Sequence, residues 1–93
     1  MRVILIYDVA TEDSKDQQRL GRIRKIARRY LTHVQKSVFE GSISRSKLER
    51  LKVELLKEAD RKRDSVILYV MDDRTKYDRQ ILTDVPDPTS NIL

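Results

Sequence analysis

Arg2-Val3-Ile4-Leu5-Ile6-Tyr7-Asp8 is the stretch on which the fold turns. Its apolar, largely β-branched residues occupy both parities, with Val3, Leu5 and Tyr7 on one side and Ile4 and Ile6 on the other. It therefore reads as a strand that needs cover on both faces. Residues 9–14 read as a loop, and Ser14 with Gln17 three positions on has the form of a capping box opening a helix. Leu20, Ile23, Ile26, Ala27 and Tyr30 then recur at spacings of three and four, which carries that helix to about Tyr30. His33 to Ile43 alternates Val34, Val38, Phe39 and Ile43 with Ser and Gly and reads as a tight hairpin. Ser46 with Glu49 opens a second amphipathic helix through Leu48, Leu51, Leu55, Leu56 and Ala59 to about Lys62. Asp64 to Met71 is another strand apolar on both parities. Asp72 to Tyr77 is a polar connection, Gln80-Ile81-Leu82 a short edge strand, and the tail with Pro86 and Pro88 is extended.

The order β-α-β-β-α-β with a short fifth strand is the split βαβ pattern, so the predicted class is α+β and ferredoxin-like: a four-stranded antiparallel sheet with both helices on one face. Right-handed crossovers are expected to put the first and last strands in the middle of the sheet. Both of those strands are apolar on the face without helices, and the simplest cover is a second copy, giving a two-fold homodimer.

Ninety-three residues predict one domain, with its core in residues 1–71 and an edge strand and tail in residues 72–93. Leu, Ile, Val and Phe make up 27 of those 93, enough for collapse despite 38% charged residues. The absence of cysteine and the single histidine, His33, exclude thiolate metal sites and argue against Ser-His hydrolases. No apolar run approaches the roughly 18 residues of a membrane span, and no signal-peptide pattern opens the chain, so a soluble cytoplasmic protein with no membrane partner is expected.

The net charge of +5 is unevenly placed. Residues 11–36 carry eight bases against three acids, while residues 64–93 are net acidic. Arg22, Lys25, Arg28 and Arg29 project from the polar side of the first helix, with no acid after Asp16 to break the series, so a polyanion such as nucleic acid is the expected partner. In the second helix Glu49, Glu54 and Glu58 alternate with bases, as in a structural, self-paired helix. Arg19 falls on the apolar side of the first helix, where it is placed to pair with Asp8 or to hold a phosphate. Asp8 closes the first strand where ligands gather, with Arg19, Phe39 and Glu40 expected nearby. One carboxylate makes a poor Mg²⁺ site, but two Asp8 side chains converging across a dimer axis can share one ion and activate a water. Tyr7, Tyr69 and Phe39 read as core, and His33 as a surface residue.

Several of these segments resemble a known family: Tyr7-Asp8-Val9 at the end of the first strand, Gln18-Arg19-Leu20 in the helix, Val34-Gln35-Lys36-Ser37-Val38-Phe39-Glu40-Gly41, and Asp64-Ser65-Val66 leading to Tyr69. In this order, across residues 2–71, they are similar to the small CRISPR-associated proteins of spacer acquisition, the Cas-two family. The resemblance implies a ferredoxin-like homodimer with a divalent metal, usually Mg²⁺, between the Asp8 residues of two chains. It also implies partnership with the Cas-one integrase, and metal-dependent endonuclease activity on single-stranded RNA or double-stranded DNA. As a nuclease the protein is expected to hold Mg²⁺ through Asp8 of two chains and to steady the anion with Arg19, which makes Asp8 and Arg19 the candidate catalytic residues. The alternative within the family is a non-catalytic DNA-holding scaffold of the integration complex, bound through Arg19, Arg22, Lys25, Arg28 and Arg29 and docked through the tail after Asp84. Leu31-Thr32 stands where the family often has Gly, and Gln18 where Lys commonly precedes the helix Arg. An RNA-recognition module of the same fold is disfavoured, because paired aromatic strand motifs are missing.

Overall fold

The computed structural model describes residues 1–85. Its elements are β1 (Arg2–Asp8), α1 (Ser14–Tyr30), β2 (Thr32–Gln35), β3 (Val38–Ser42), α2 (Arg45–Glu58) and β4 (Ser65–Met71). The four strands form one antiparallel sheet in the order β2-β3-β1-β4.

This order corrects the expected placement of the strands. β1 and β3 are central, and β4 is an edge strand paired with β1 alone. Each helical crossover skips one strand: β1-α1-β2 passes over β3, and β3-α2-β4 passes over β1. The strands that begin the crossovers therefore lie inside. Apolar residues on both parities of β4 reflect a face awaiting cover rather than a central position. Gln80–Leu82, expected to be a short fifth strand, pairs with no strand among the described residues. The extended reading of the Pro86 and Pro88 tail falls outside the described residues.

Helix boundaries shift for local reasons. Asp13, not Ser14, caps α1, because its carboxylate accepts from the Asp16 amide at 2.8 Å. Ser44, not Ser46, caps α2 by accepting from the Lys47 amide at 3.3 Å, and that helix stops at Glu58 rather than Lys62. Leu31 is buried and packs its Cδ2 over Gly41, where a Cβ would meet it at 3.2 Å.

Val3, Leu5 and Tyr7 of β1, Phe39 of β3, Ile23, Ile26 and Ala27 of α1, and Leu48, Leu51 and Leu55 of α2 form the core between sheet and helices. His33 is not a free surface residue, since its ring stacks on Phe39 with centroids 4.6 Å apart. The other sheet face has no helix. There Ile6 is paired with Ile67 and Ile4 with Tyr69, and Ile6, Ile67 and Tyr69 are 37%, 45% and 53% exposed. Tyr69 is thus a residue of the open face and not of the core. At the far end of that face the chain's own C-terminal segment returns. Asp73 accepts from the N-terminal ammonium at 3.1 Å and from Ser42 at 3.0 Å, the Tyr77 ring lies 5.3 Å from the Arg2 guanidinium carbon, and Arg79 pairs with Glu40 at 3.1 Å.

Candidate functional site

Asp8 is the last residue of β1, and alternation along the strand puts it on the open face with Ile4 and Ile6. It is exposed, and among the described residues its side chain takes part in no hydrogen bond or ion pair. Ser65, the first residue of β4, is its antiparallel partner. On the other side the Lys36-Ser37 turn is tied to the strand end, because the Tyr7 amide donates to the Ser37 carbonyl at 3.1 Å and the Tyr7 hydroxyl to the Lys36 carbonyl at 3.3 Å. Phe39 is opposite Leu5, and its ring lies in the helix-side core, stacked on Tyr7 at 6.1 Å, on the sheet face away from Asp8. Glu40 is opposite Ile4 and is drawn toward Arg2 and Arg79, so neither residue lines the Asp8 position as expected.

Arg19 occupies neither of its expected places. Its Nε and Nη2 donate to Asp64 at 2.7 and 2.9 Å, its Nη1 to Asp16 at 2.8 Å, and its Nη2 also reaches the Ala10 carbonyl at 3.5 Å. Arg63 grips Asp16 from the other side, at 2.6 and 3.0 Å. Both carboxylates are buried, with Asp16 1% exposed as a residue and the Asp64 side chain 0% exposed. The Arg63 hydrogen bond is the main cause holding Asp16 far below the usual carboxylate range, joined by Arg19 and the Glu12 amide and opposed by burial. Asp64 is lowered first by Arg19, then by the Asp60 and Ala10 amides. Asp64 thereby ties together the β1–α1 loop, α1 and the α2–β4 loop, directly behind Asp8 and Ser65. The sequence reading missed this cluster. Its one signal was Asp64 inside the Asp-Ser-Val segment, where a strand reading treats it as a mere entry residue.

The basic stripe of α1 is partly neutralised. Arg22 pairs with Glu58 at 2.6 Å and Arg29 with Glu54 at 2.8 Å, while Tyr30 also hydrogen-bonds Glu54. Glu54 and Glu58 of α2 thus reach across to α1, while Glu49 pairs along its own helix with Lys52 at 3.3 Å. Lys25 and Arg28 make no ion pair among the described residues and remain exposed.

The donor type at Asp8 suits a hard divalent cation, because among the described residues its oxygens form no ion pair with a cation. The number does not suffice. Among the described residues no three His, Cys, Asp or Glu side chains converge as a metal group, so Asp8 fits Mg²⁺ as a share of a site completed from elsewhere.

These features define a ferredoxin-like domain with an apolar open sheet face and one bare carboxylate at the end of its first strand. The pattern of the family described as CRISPR associated protein Cas2 matches residues 1–79, and the chain belongs to that family. It is 50% identical over 91 residues to a Moorella thermoacetica protein named CRISPR-associated endoribonuclease Cas2 2, covering 98% of this chain and all of that one. A Thermotoga maritima protein named CRISPR-associated endoribonuclease Cas2 is 44% identical over 82 residues, with 88% of this chain and 87% of that one covered. Among solved structures, Streptococcus pyogenes Cas2 superposes with a TM-score of 0.71 at 34% identity, covering 80% of this chain and 89% of that one. No described helix is long and apolar enough to cross a membrane.

Proposed function

We propose that the protein works in CRISPR spacer acquisition as a homodimer that binds nucleic acid, cleaves its phosphodiester bonds with Mg²⁺, and partners the Cas-one integrase in the cytoplasm. The observation that carries the nuclease reading is Asp8: an exposed carboxylate with no partner among the described residues, at the edge of an apolar face that a second copy would cover. The endoribonuclease names of the Moorella and Thermotoga relatives support it. In this reading the Asp8 residues of two chains hold the cation. A divalent ion there would draw charge from the scissile phosphate and favour attack on it. Lys25 and Arg28 bind the nucleic-acid backbone. Arg19, committed to Asp16 and Asp64, acts behind the site by fixing the loop after Asp8 instead of touching substrate.

That commitment of Arg19 also favours the second reading, a non-catalytic DNA scaffold, because it takes from the Asp8 site the arginine expected to steady the anion. The two separate in one experiment. Wild type and Asp8→Asn are compared for cleavage of single-stranded RNA and duplex DNA with and without Mg²⁺, alongside binding to the same substrates. The nuclease reading expects cleavage to fall at least a hundredfold in the variant with binding unchanged. Equal cleavage by both proteins takes Asp8 out of the reaction, and no cleavage by either while binding persists leaves the scaffold.

A further inference from the structure

We infer that Ser65 is the second polar group of the Asp8 site, where its hydroxyl orders the water shell of a divalent cation carried by Asp8. The inference rests on the metal reading of Asp8 proposed above and adds a residue to it. Asp8 and Ser65 are directly opposed in the β1–β4 ladder. Opposed residues share one sheet face, with Cβ atoms roughly 4.5–5.5 Å apart. Both are exposed, and among the described residues neither side chain has a hydrogen-bond partner. A carboxylate and a hydroxyl side by side with nothing to bind among the described residues are two oxygen groups available to the same ligand.

The surroundings fix them in place. Asp64, immediately before Ser65, accepts from the Ala10 amide at 3.1 Å and the Asp60 amide at 2.8 Å and takes two bonds from Arg19, so one buried carboxylate holds the backbone beside both residues. The next pair on the open face, Ile6 and Ile67, forms an apolar wall on one side. Mg²⁺ gives up its waters reluctantly and usually keeps several, so a site poor in carboxylates must hold the ion largely through hydrogen bonds to those waters. A serine hydroxyl both donates and accepts, which suits it to that task.

The test uses isosteres. Ser65→Thr keeps the hydroxyl and Ser65→Val removes it at nearly the same shape, and both residues favour strands. Mg²⁺ binding to the full chain is measured by calorimetry for wild type, Ser65→Thr, Ser65→Val and Asp8→Asn, with circular dichroism and light scattering confirming fold and assembly. Ser65→Thr should bind as wild type does, and Ser65→Val about tenfold to a hundredfold more weakly, the usual cost of losing an outer-sphere partner. Equal affinities for Thr and Val, with Asp8→Asn defective, overturn the role of Ser65 and leave that of Asp8 standing. Unchanged binding by Asp8→Asn overturns the metal reading, and the Ser65 assignment with it.

Discussion

Asp64 shows how far one residue can act from the chemistry it serves. Its buried carboxylate takes two hydrogen bonds from Arg19 and two from backbone amides, and Asp16 repeats the arrangement between Arg19 and Arg63. Removing one member of such a group strands the others, which costs far more than an exposed pair. Because both carboxyl groups titrate below their ordinary value of roughly 4 in the folded chain, they contribute stability that is complete above that value and lost as pH falls through the folded one. Thermal denaturation should therefore show a melting temperature steady from pH 8 to 6 that declines below about pH 5. Asp64→Asn should melt lower at pH 7 and show a shallower decline in acid. Parallel curves for the two proteins would place the acid sensitivity elsewhere. Asp8 was legible in the sequence, since a carboxylate ending an apolar strand stands out. The Arg19 pairing was not: its position on the apolar side of α1 showed that it must find an anion, but the choice among Asp8, Asp16, Asp64 and a phosphate is made by loops whose paths no periodicity encodes.

Between the two helices, charge alters what the sequence pattern of α1 suggests. Five arginines in residues 19–29, with no acid among them, read as an uncompensated cationic surface. The packing of α1 on α2 sets Arg22 against Glu58 and Arg29 against Glu54, leaving Lys25 and Arg28 between those pairs. Exposed pairs of this kind contribute about 0–1 kcal/mol each to stability but subtract from the field that attracts a polyanion. Replacing Lys25 and Arg28 together with Ala should weaken binding to all nucleic-acid sequences and reduce the slope of log K against log salt by about one for each phosphate that is no longer neutralised. Glu54→Gln with Glu58→Gln should steepen the slope, because Arg22 and Arg29 are released. Salt titrations by fluorescence anisotropy give both values, and unaltered slopes would take the footprint off α1. Helix periodicity places the bases on one face. The helix-to-helix register that neutralises half of them arises from ridge packing and is not written in either helix alone. The caps differ in the same way: Asp13 and Ser44 prevail over the expected Ser14 and Ser46 because the loops before the helices set which side chain meets the first free amides.

At the scale of the whole molecule, the fold and the open face follow from the sequence, but β3 and β4 exchange the central and edge places expected of them and Gln80–Leu82 adds no fifth strand. Apolar residues on both sides of β1 and β4 show that two layers of cover are required, whatever the strand order. The helices supply one layer through Leu48, Leu51, Leu55, Ile23 and Ile26. Nothing described in the chain covers Ile6, Ile67 and Tyr69, since the returning C-terminal segment is fixed to Arg2 and Ser42 at the opposite end and to Glu40, which lies across Ile4 from Tyr69. A second copy facing this end would bury the apolar band and bring the two Asp8 strand ends to one interface. Each partner would have to bury roughly 800 Å² for a stable association of ordinary size. Tyr69→Glu tests the arrangement, because it puts an unpaired carboxylate into the band opposite Ile4, away from Asp8 and outside the helix-side core. Light scattering on the wild type should report twice the 11.0 kDa chain mass, and the variant should dissociate to a single chain with its secondary structure intact. A buried uncompensated charge costs several kcal/mol, so dissociation should occur at concentrations at least a hundredfold higher than for the wild type. Mg²⁺ binding should fall with it if the ion is shared between chains. A wild type that remains a single chain at tens of micromolar, or a variant that stays paired, would place the cover of this face on some other partner.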